Sequence, residues 1–365
     1  MKRILFVVSS LSNSGGVSMV VRNICNGLNR KGIKTDIICY DEPNKEHKDK
    51  IEINGGRIFV ISRPTRGAIK YINSIREIIR NYGKYDAIHV HTSLLIWLAC
   101  YAAKKECVKV RIGHAHGTNF NNYPKIIIRI IRRLMAFLNR RYCTKMLACK
   151  DLSGKFDFGK NYEIFNNFID VNNYVDWDRI KKIKSELDIG DGIVIGNAGR
   201  IGGVKNPEFL LEVFDKYHKI NEKSYLLFIG DGEKVEAIKQ LAKKKKIDKY
   251  VKFTGEIDNV KDIMPIFDLY INTSLSEGMS MSLLEAQSKG VKCLVSPGVI
   301  EETDIGAGIF KKCYDFDINQ WIRALCFMIS EESIVGYCNI VKCLKDKGME
   351  MEEAINKLLY YYQVD

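Results

Sequence analysis

The sequence predicts an α/β protein built from two doubly wound parallel sheets in tandem. Three observations predict it. The chain has 365 residues, more than one ordinary core accommodates. Short, continuous apolar runs alternate with segments of helical periodicity, the mark of strands buried on both faces by crossover helices. The same alternation occurs once in each half of the chain.

In the first half, the strand candidates are "RILFVVS", "KTDIICY", "RIFVI", "DAIHVH", "VKVRIGHAH" and "KMLAC". Between the first two lies "VSMVVRNICNGLNRKG", a helix pattern ending at Gly32, which suits a helix C-cap. A strand, a helix of this length and a further strand make a parallel βαβ unit. In the second half the strand candidates are "GIVIGNAG", "SYLLFIGDG", "YVKFTG", "LYINTS" and "KCLVSP". Helices fit "PEFLLEVFDKYHK", "KVEAIKQLAKKKK" and "SMSLLEAQSKG". The expected division is a first domain over 1–165, a polar and then helical linker over 166–190, and a second domain over 191–316. C-terminal helices follow over 317–365, the last of them, "MEMEEAINKLLYYYQ", amphipathic and able to pack back on the first domain.

Hydrophobic residues make up 46% and charged residues 28%, a globular balance that argues against long disorder. The opening "MKRILFVVSS" is too short for a secretory leader and reads as a first strand. No run reaches the roughly 18 apolar residues of a spanning helix, so a cytoplasmic protein is expected. The eleven cysteines are odd in number, lack a CxxC pair and fall mostly in apolar runs, which suits reduced, buried thiols. A net charge of +13 points to an anionic partner. The stretch 125–150 contains no acid, and its Lys125, Arg129, Arg132, Arg133, Arg140 and Arg141 alternate with Ile and Leu. That pattern suits either a helix lying on an anionic bilayer or a solvated basic face. Nucleic acid fits poorly, because no aromatic interleaving or groove-reading motif accompanies the charge.

In open α/β sheets, ligands bind beyond the carboxyl ends of the strands, and the chemistry-bearing residues fall there. In "SLSEGMSMSLLEAQSKG" a helix starting near Ser280 to Ser282 offers free N–H groups to a phosphate. Glu285, one turn in, suits a ribose diol, and Glu277 suits hydroxyls of a second polar group. A phosphate between two diols describes a sugar nucleotide; the alternative is a plain strand-loop-helix with two surface glutamates. In "GNAGRIGGVKNPEFLLEVF", Arg200 and Lys205 flank a glycine-rich loop and could stabilise a diphosphate leaving group, or be ordinary surface cations. Gly15 and Gly16 precede a helix, and Asp41 follows the second strand, but the glycines are not spaced as GxGxxG. His89, His91, His114 and His116 close two strand candidates; i and i+2 share a face, so His114 and His116 can point one way. Metal binding there lacks a carboxylate or cysteine companion. A histidine lining the cleft suits His116, and core positions suit His89 and His91. The DxD pairs "DWD" and "DFD" follow no catalytic strand end.

The whole pattern resembles a retaining glycosyltransferase of the GT-B fold, family 4, of the exopolysaccharide and capsule type. "EGMSMSLLEAQSKG" is similar to that family's EX7E signature, "GRIGGVKNPEFLL" to its diphosphate loop, and "FNNFID" to its interdomain turn, with Phe168 where glycine is usual. "GHAHGT" offers both His114 and His116 for one site position, of which His116 is taken. The resemblance implies that Arg200 and Lys205 hold the donor diphosphate and that Glu285 binds the ribose. It further implies that Glu277 holds sugar hydroxyls and that His116 contacts the sugar near C6. Backbone amides at Gly15, Gly16, Gly278, Met279, Ser280 and Met281 would complete the cradle. It implies a UDP-linked sugar as substrate, a saccharide or lipid-linked acceptor, no cofactor and no metal. A nucleotide-sugar epimerase or hydrolase on the same fold, and a silent binding protein, are the competing readings.

Overall fold

A computed structural model of the chain describes residues 2–11, 16–43, 45–116, 125–331 and 335–363, and their side chains except those of 45–47, 50 and 125–129. Two compact units emerge, one of Met1–Asp170 with Met351–Asp365, the other of Val171–Glu350.

In the first unit, strands and helices alternate: β1 (Arg3–Val7), α1 (Gly16–Arg30), β2 (Lys34–Cys39), α2 (Lys45–Ile53), β3 (Ile58–Val60), α3 (Ala68–Tyr82) and β4 (Ala87–Val90). Then come α4 (Ile96–Lys105), β5 (Val110–Ala115), α5 (Lys125–Tyr142), β6 (Lys145–Ala148), α6 (Asp151–Asp157) and β7 (Glu163–Ile164). All seven strands are parallel, in the order β3-β2-β1-β4-β5-β6-β7. The strand order reverses between β1 and β4, the switch point at which such sheets bind ligands. Ile4 to Val7, Ile37, Ile38, Ile88 and Val90 are buried, as a sheet covered on both faces requires.

The second unit repeats the plan with α7 (Trp177–Glu186), β8 (Ile193–Ala198), α8 (Pro207–His218), β9 (Ser224–Ile229), α9 (Val235–Lys245), β10 (Val251–Phe253) and β11 (Leu269–Asn272). It continues through α10 (Met281–Ser288), β12 (Cys293–Val295), β13 (Phe310–Lys312), α11 (Ile318–Ser330) and α12 (Tyr337–Asp346). Its six parallel strands run β10-β9-β8-β11-β12-β13, with the reversal between β8 and β11.

The segment 166–190, read from the sequence as a linker, is shared between the units. Phe168 is buried in the first unit, edge-on to Phe165, and Asn23 donates to its carbonyl at 3.1 Å. A side chain in place of the usual glycine thus fills a core slot. In the second unit, α7 buries Ile180 and Ile183. The final helix, α13 (Met351–Tyr362), belongs to the first unit and lies against α1. Gly27 permits that approach, since a Cβ there would fall 2.4 Å from Ile355.

The acid pairs serve local structure. Asp176 caps α7 through the Arg179 N–H at 3.0 Å, and Asp317 caps α11 through the Asn319 N–H at 2.8 Å. Asp41 is paired with Arg63 at 2.7 Å. Cysteines 25, 39, 100, 143, 149, 293 and 313 are buried and reduced. Among the described residues, no helix is long and apolar enough to cross a membrane.

Candidate functional site

In the second unit, the loops after β8 and β11 meet at the switch point. The loop after β8 turns at Gly199, and the neighbouring Gly230 presses on it: a Cβ at Gly230 would come 2.1 Å from the Gly199 carbonyl. The loop presents Arg200 and Lys205, and α8 begins just beyond them at Pro207.

Three contacts lock this loop to the one after β11. The Thr273 hydroxyl donates to the Lys205 and Asn206 carbonyls at 2.9 and 3.0 Å. The Leu275 N–H donates to the Val204 carbonyl at 2.8 Å. The buried Tyr270 hydroxyl lies 3.0 Å from the Ala198 carbonyl and 2.9 Å from the Ser282 hydroxyl, tying the end of β8 to the first turn of α10. Nothing in the local spacing of Tyr270 marks it for this role.

The two cations are held differently. Lys205 Nζ donates to Glu277 Oε2 at 2.5 Å, and Ser274 donates to the same oxygen at 2.9 Å. Both bonds fall on Oε2, and among the described residues none falls on Oε1. This pair is enclosed, with the Lys205 and Glu277 side chains 24% and 18% exposed. Arg200 instead pairs at 3.1 Å with Glu233, a residue the sequence reading did not single out, and both side chains are largely solvent-exposed. The N–H groups of Glu233 itself and of Gly203, together with Arg200, hold the Glu233 carboxyl below its ordinary range. A small recess lies among Asn197, Arg200, Ile201, Lys205, Phe228 and Thr273.

Helix α10 begins at Met281 after Ser280, whose backbone is extended. Its first N–H groups have no partner within the helix, and its dipole favours an anion. Met279, Ser280 and Met281 are buried, while Gly278 is partly exposed. Glu285, the fifth residue of α10, is 8% exposed, so it is not a surface glutamate.

In the first unit, Gly16 opens α1 with open space around it. Gly15 and Gly117 lie outside the described residues. The histidines gather on one face of the sheet. Register sets His89 opposite Ile112 and Val90 opposite Gly113, which brings His91 level with His114. His91 Nδ1 lies 2.8 Å from His116 Nε2, and His89 Nδ1 lies 2.7 Å from the Tyr362 hydroxyl of α13. The rings of His114 and His116 stack with centroids 4.2 Å apart.

Burial pushes His116 down to about 4 and drives His89, His91 and His114 well below the usual histidine range, aided by their mutual proximity. All four are therefore neutral imidazoles near pH 7. His89 and His91 are core residues, as read from the sequence, but only half satisfied. His89 Nε2 and His91 Nε2 are buried without a hydrogen bond, and His114 has at most a weak one to the Phe165 backbone. An unsatisfied buried polar atom of this kind costs about 1–3 kcal/mol.

Comparison with known proteins identifies the class. The model for "Glycosyltransferase Family 4" matches residues 14–173, and that for "Glycosyl transferases group 1" matches residues 178–305. The chain belongs to the group 1 glycosyltransferases and has their GT-B fold. EpsF of Bacillus subtilis, provisionally named a glycosyltransferase, is 25% identical over 100% of this chain and 97% of its own length. The UDP-Gal:alpha-D-GlcNAc-diphosphoundecaprenol alpha-1,3-galactosyltransferase of Escherichia coli is 23% identical over 62% of this chain and 63% of its own. The crystal structure of Anabaena HepE in complex with UDP and glucose superposes with a TM-score of 0.77 over 100% of both chains at 15% identity. The protein is a glycosyltransferase.

Proposed function

We propose that this enzyme transfers a sugar from a UDP-linked donor to a saccharide or lipid-linked acceptor in surface polysaccharide synthesis, with retention of configuration and without a metal on the donor diphosphate. One observation carries the reading: the 2.5 Å contact between Lys205 and Glu277. It joins a cation suited to a diphosphate directly to a carboxylate suited to sugar hydroxyls. Oxygen Oε2 of Glu277 is taken by Lys205 and Ser274, which leaves Oε1 for the sugar.

In this reading Arg200 and Lys205 stabilise the charge that grows on the leaving diphosphate, the work a divalent ion does elsewhere. The start of α10, from Gly278 to Met281, adds N–H groups, and Gly16 adds its own. Glu285, set in the first turns of α10, accepts from the ribose. His116, neutral near pH 7, donates to the sugar near C6. The sugar leaves and is received on one face, the departing phosphate oxygen taking the acceptor proton. No second carboxylate at a glycosidase-like separation is then required. The relatives named for galactosyl transfer to a lipid diphosphate and for UDP binding support the choice of donor and acceptor classes.

The test is incubation with a panel of nucleotide sugars and saccharide or lipid-linked acceptors, with product mass and linkage determined. Turnover of donor without any acceptor would instead favour an epimerase or hydrolase. Metal-stripped enzyme should gain no activity from magnesium or manganese; a large gain from either would overturn the metal-free diphosphate.

A membrane-borne acceptor fits α5. Ile130, Ile131, Leu134 and Phe137 are exposed beside exposed Arg132, Arg133 and Arg141. Arg140 is engaged otherwise, donating to the Phe158 carbonyl, and Lys145 pairs with Glu163. Each basic residue near an anionic surface contributes roughly 1 kcal/mol, screened by salt. The chain should pellet with anionic liposomes at low salt and release at high salt. Arg132→Gln, Arg133→Gln and Arg141→Gln together should abolish pelleting and spare donor hydrolysis. A wild type that ignores anionic liposomes would make the face a solvated one.

A further inference from the structure

The histidine face of the first unit holds more than a sugar-contacting role requires. Three of its four imidazoles, His89, His91 and His114, each offer a ring nitrogen, and these atoms lie within 4.8 Å of one another. The side chains are buried, His89 Nε2 and His91 Nε2 lack any hydrogen bond, and His114 has at most a weak one to the Phe165 backbone. A core histidine kept only for packing is normally satisfied. Here three incompletely satisfied histidines are clustered instead of being scattered.

The second ring nitrogens of His89 and His91 are arranged as ligation requires. His89 Nδ1 meets the Tyr362 hydroxyl at 2.7 Å, and His91 Nδ1 meets His116 Nε2 at 2.8 Å. A metal-bound imidazole generally donates its other N–H to an oxygen or nitrogen nearby, which fixes tautomer and ring orientation. If Nδ1 of each carries the proton, the lone pair sits on Nε2, the atom left without a partner.

We propose that His89, His91 and His114 form a binding site for a borderline divalent transition ion of the zinc type, distinct from the donor-diphosphate loops of the second unit. Three imidazoles with neither thiolate nor carboxylate suit zinc, nickel or copper over magnesium or calcium. Zinc–nitrogen bonds of about 2.0–2.1 Å put tetrahedral ligand atoms roughly 3.4 Å apart. Binding therefore draws the rings together by ring rotation. A water completes the fourth position. The site stands independently of the proposed transfer reaction.

The experiment uses the full chain without a polyhistidine tag, stripped of metal and equilibrated with zinc or cobalt. One zinc per chain should survive desalting. Cobalt should give the intense visible bands of a four-coordinate nitrogen and oxygen set, with no near-ultraviolet sulfur-to-cobalt band. X-ray absorption of the zinc-loaded chain should show imidazole scattering and no sulfur at about 2.3 Å. His114→Phe and His89→Phe should each lose the zinc on desalting, and Tyr362→Phe should weaken it about 10- to 100-fold. The two wild-type spectra need no variant to fold. Stacked imidazoles that retain no zinc would overturn the site. So would thiolate ligation, or retention undiminished in a folded His114→Phe chain.

Discussion

The two sheets share a topology and differ in what they place at the same position. At the switch point of the second unit, carboxyl strand ends present charge: Lys205 with Glu277, and Arg200 with Glu233. At the corresponding edge of the first unit stand four histidines, all held neutral by burial, and His89, His91 and His114 also by their neighbours. A parallel sheet brings the same geometry to both edges, so the difference lies in side chains alone. An anionic ligand has reason to choose the second edge, where fixed cations meet helix starts. The first edge offers lone pairs and N–H groups and no net charge. Fold therefore places both sites, and side-chain chemistry divides the work between them.

The comparison breaks most visibly if the charged edge can be neutralised without effect. Arg200→Ala and Lys205→Ala should each lower turnover about 10²- to 10³-fold, the usual loss for one preorganised charge-stabilising donor. Steady-state kinetics with a saturating acceptor checks this. Near-normal turnover in both variants removes the diphosphate from this loop. Lys205→Ala also leaves Glu277 without its enclosed partner, so its fall should be the larger.

The two glutamates of the second unit sharpen the picture. Glu277 shares its oxygen with Lys205 and Ser274, whereas Glu285 sits buried within α10. Glu277→Gln should mainly slow transfer, by roughly 10²-fold, because it touches the reacting sugar and the diphosphate cation together. Glu285→Gln should mainly weaken nucleotide binding, by about tenfold, as expected for one lost charged hydrogen bond. Calorimetry with the free nucleoside diphosphate separates them. Equal losses of affinity in both would erase the distinction.

Much of this was legible in the sequence, for a physical reason. Parallel strands covered on both faces are continuous apolar runs, so "RILFVVS" and "LYINTS" declare themselves. The edge strands β7 and β13 do not. The first is only Glu163–Ile164, and two of the three residues of the second are lysines. Arg200, Lys205, Glu277 and Glu285 were readable because each lies near a strand end within one short motif. Glu233 was not, because it reaches Arg200 from a different strand-end loop. The i, i+2 spacing of His114 and His116 told that they share a face. Only the β4–β5 register, which no local pattern encodes, shows that His89 and His91 join them. The last helix was visible as amphipathic; its seat on α1 rests on the missing Cβ of Gly27.

A smaller effect is expected where the second unit's own pairs are compared. Lys205–Glu277 is enclosed, but Arg200 and Glu233 are 69% and 54% exposed. An exposed pair contributes about 0–1 kcal/mol. Glu233→Gln should therefore change kcat/KM by no more than about fivefold. A loss as deep as that of Arg200→Ala would mean that Glu233 positions the guanidinium and is not an incidental partner.

The smallest effect belongs to the first unit and to the helix that completes it. Glu163 on β7 accepts from Lys357 of α13 at 2.7 Å and from Lys145 of β6 at 2.5 Å, and the Tyr361 hydroxyl of α13 also donates to it. Burial alone would raise this carboxyl, but Lys145, Lys357 and Tyr361 outweigh it and hold it down to about 2. The folded value lies below the ordinary one near 4.5. The contribution to stability is thus fully present above pH ~4.5 and is lost as pH falls toward 2. The Glu163 side chain is 37% exposed, so solvent screening reduces the effect to about that of a surface pair, at most ~1 kcal/mol. Glu163→Gln should lower the melting temperature of the first unit by at most ~2–4 °C at pH 6. Thermal melts of wild type and variant at pH 6 and pH 3 test this, and the gap should shrink at the lower pH. A gap that persists undiminished at pH 3 would mean that α13 is held at this point by packing, with the charge of Glu163 contributing nothing.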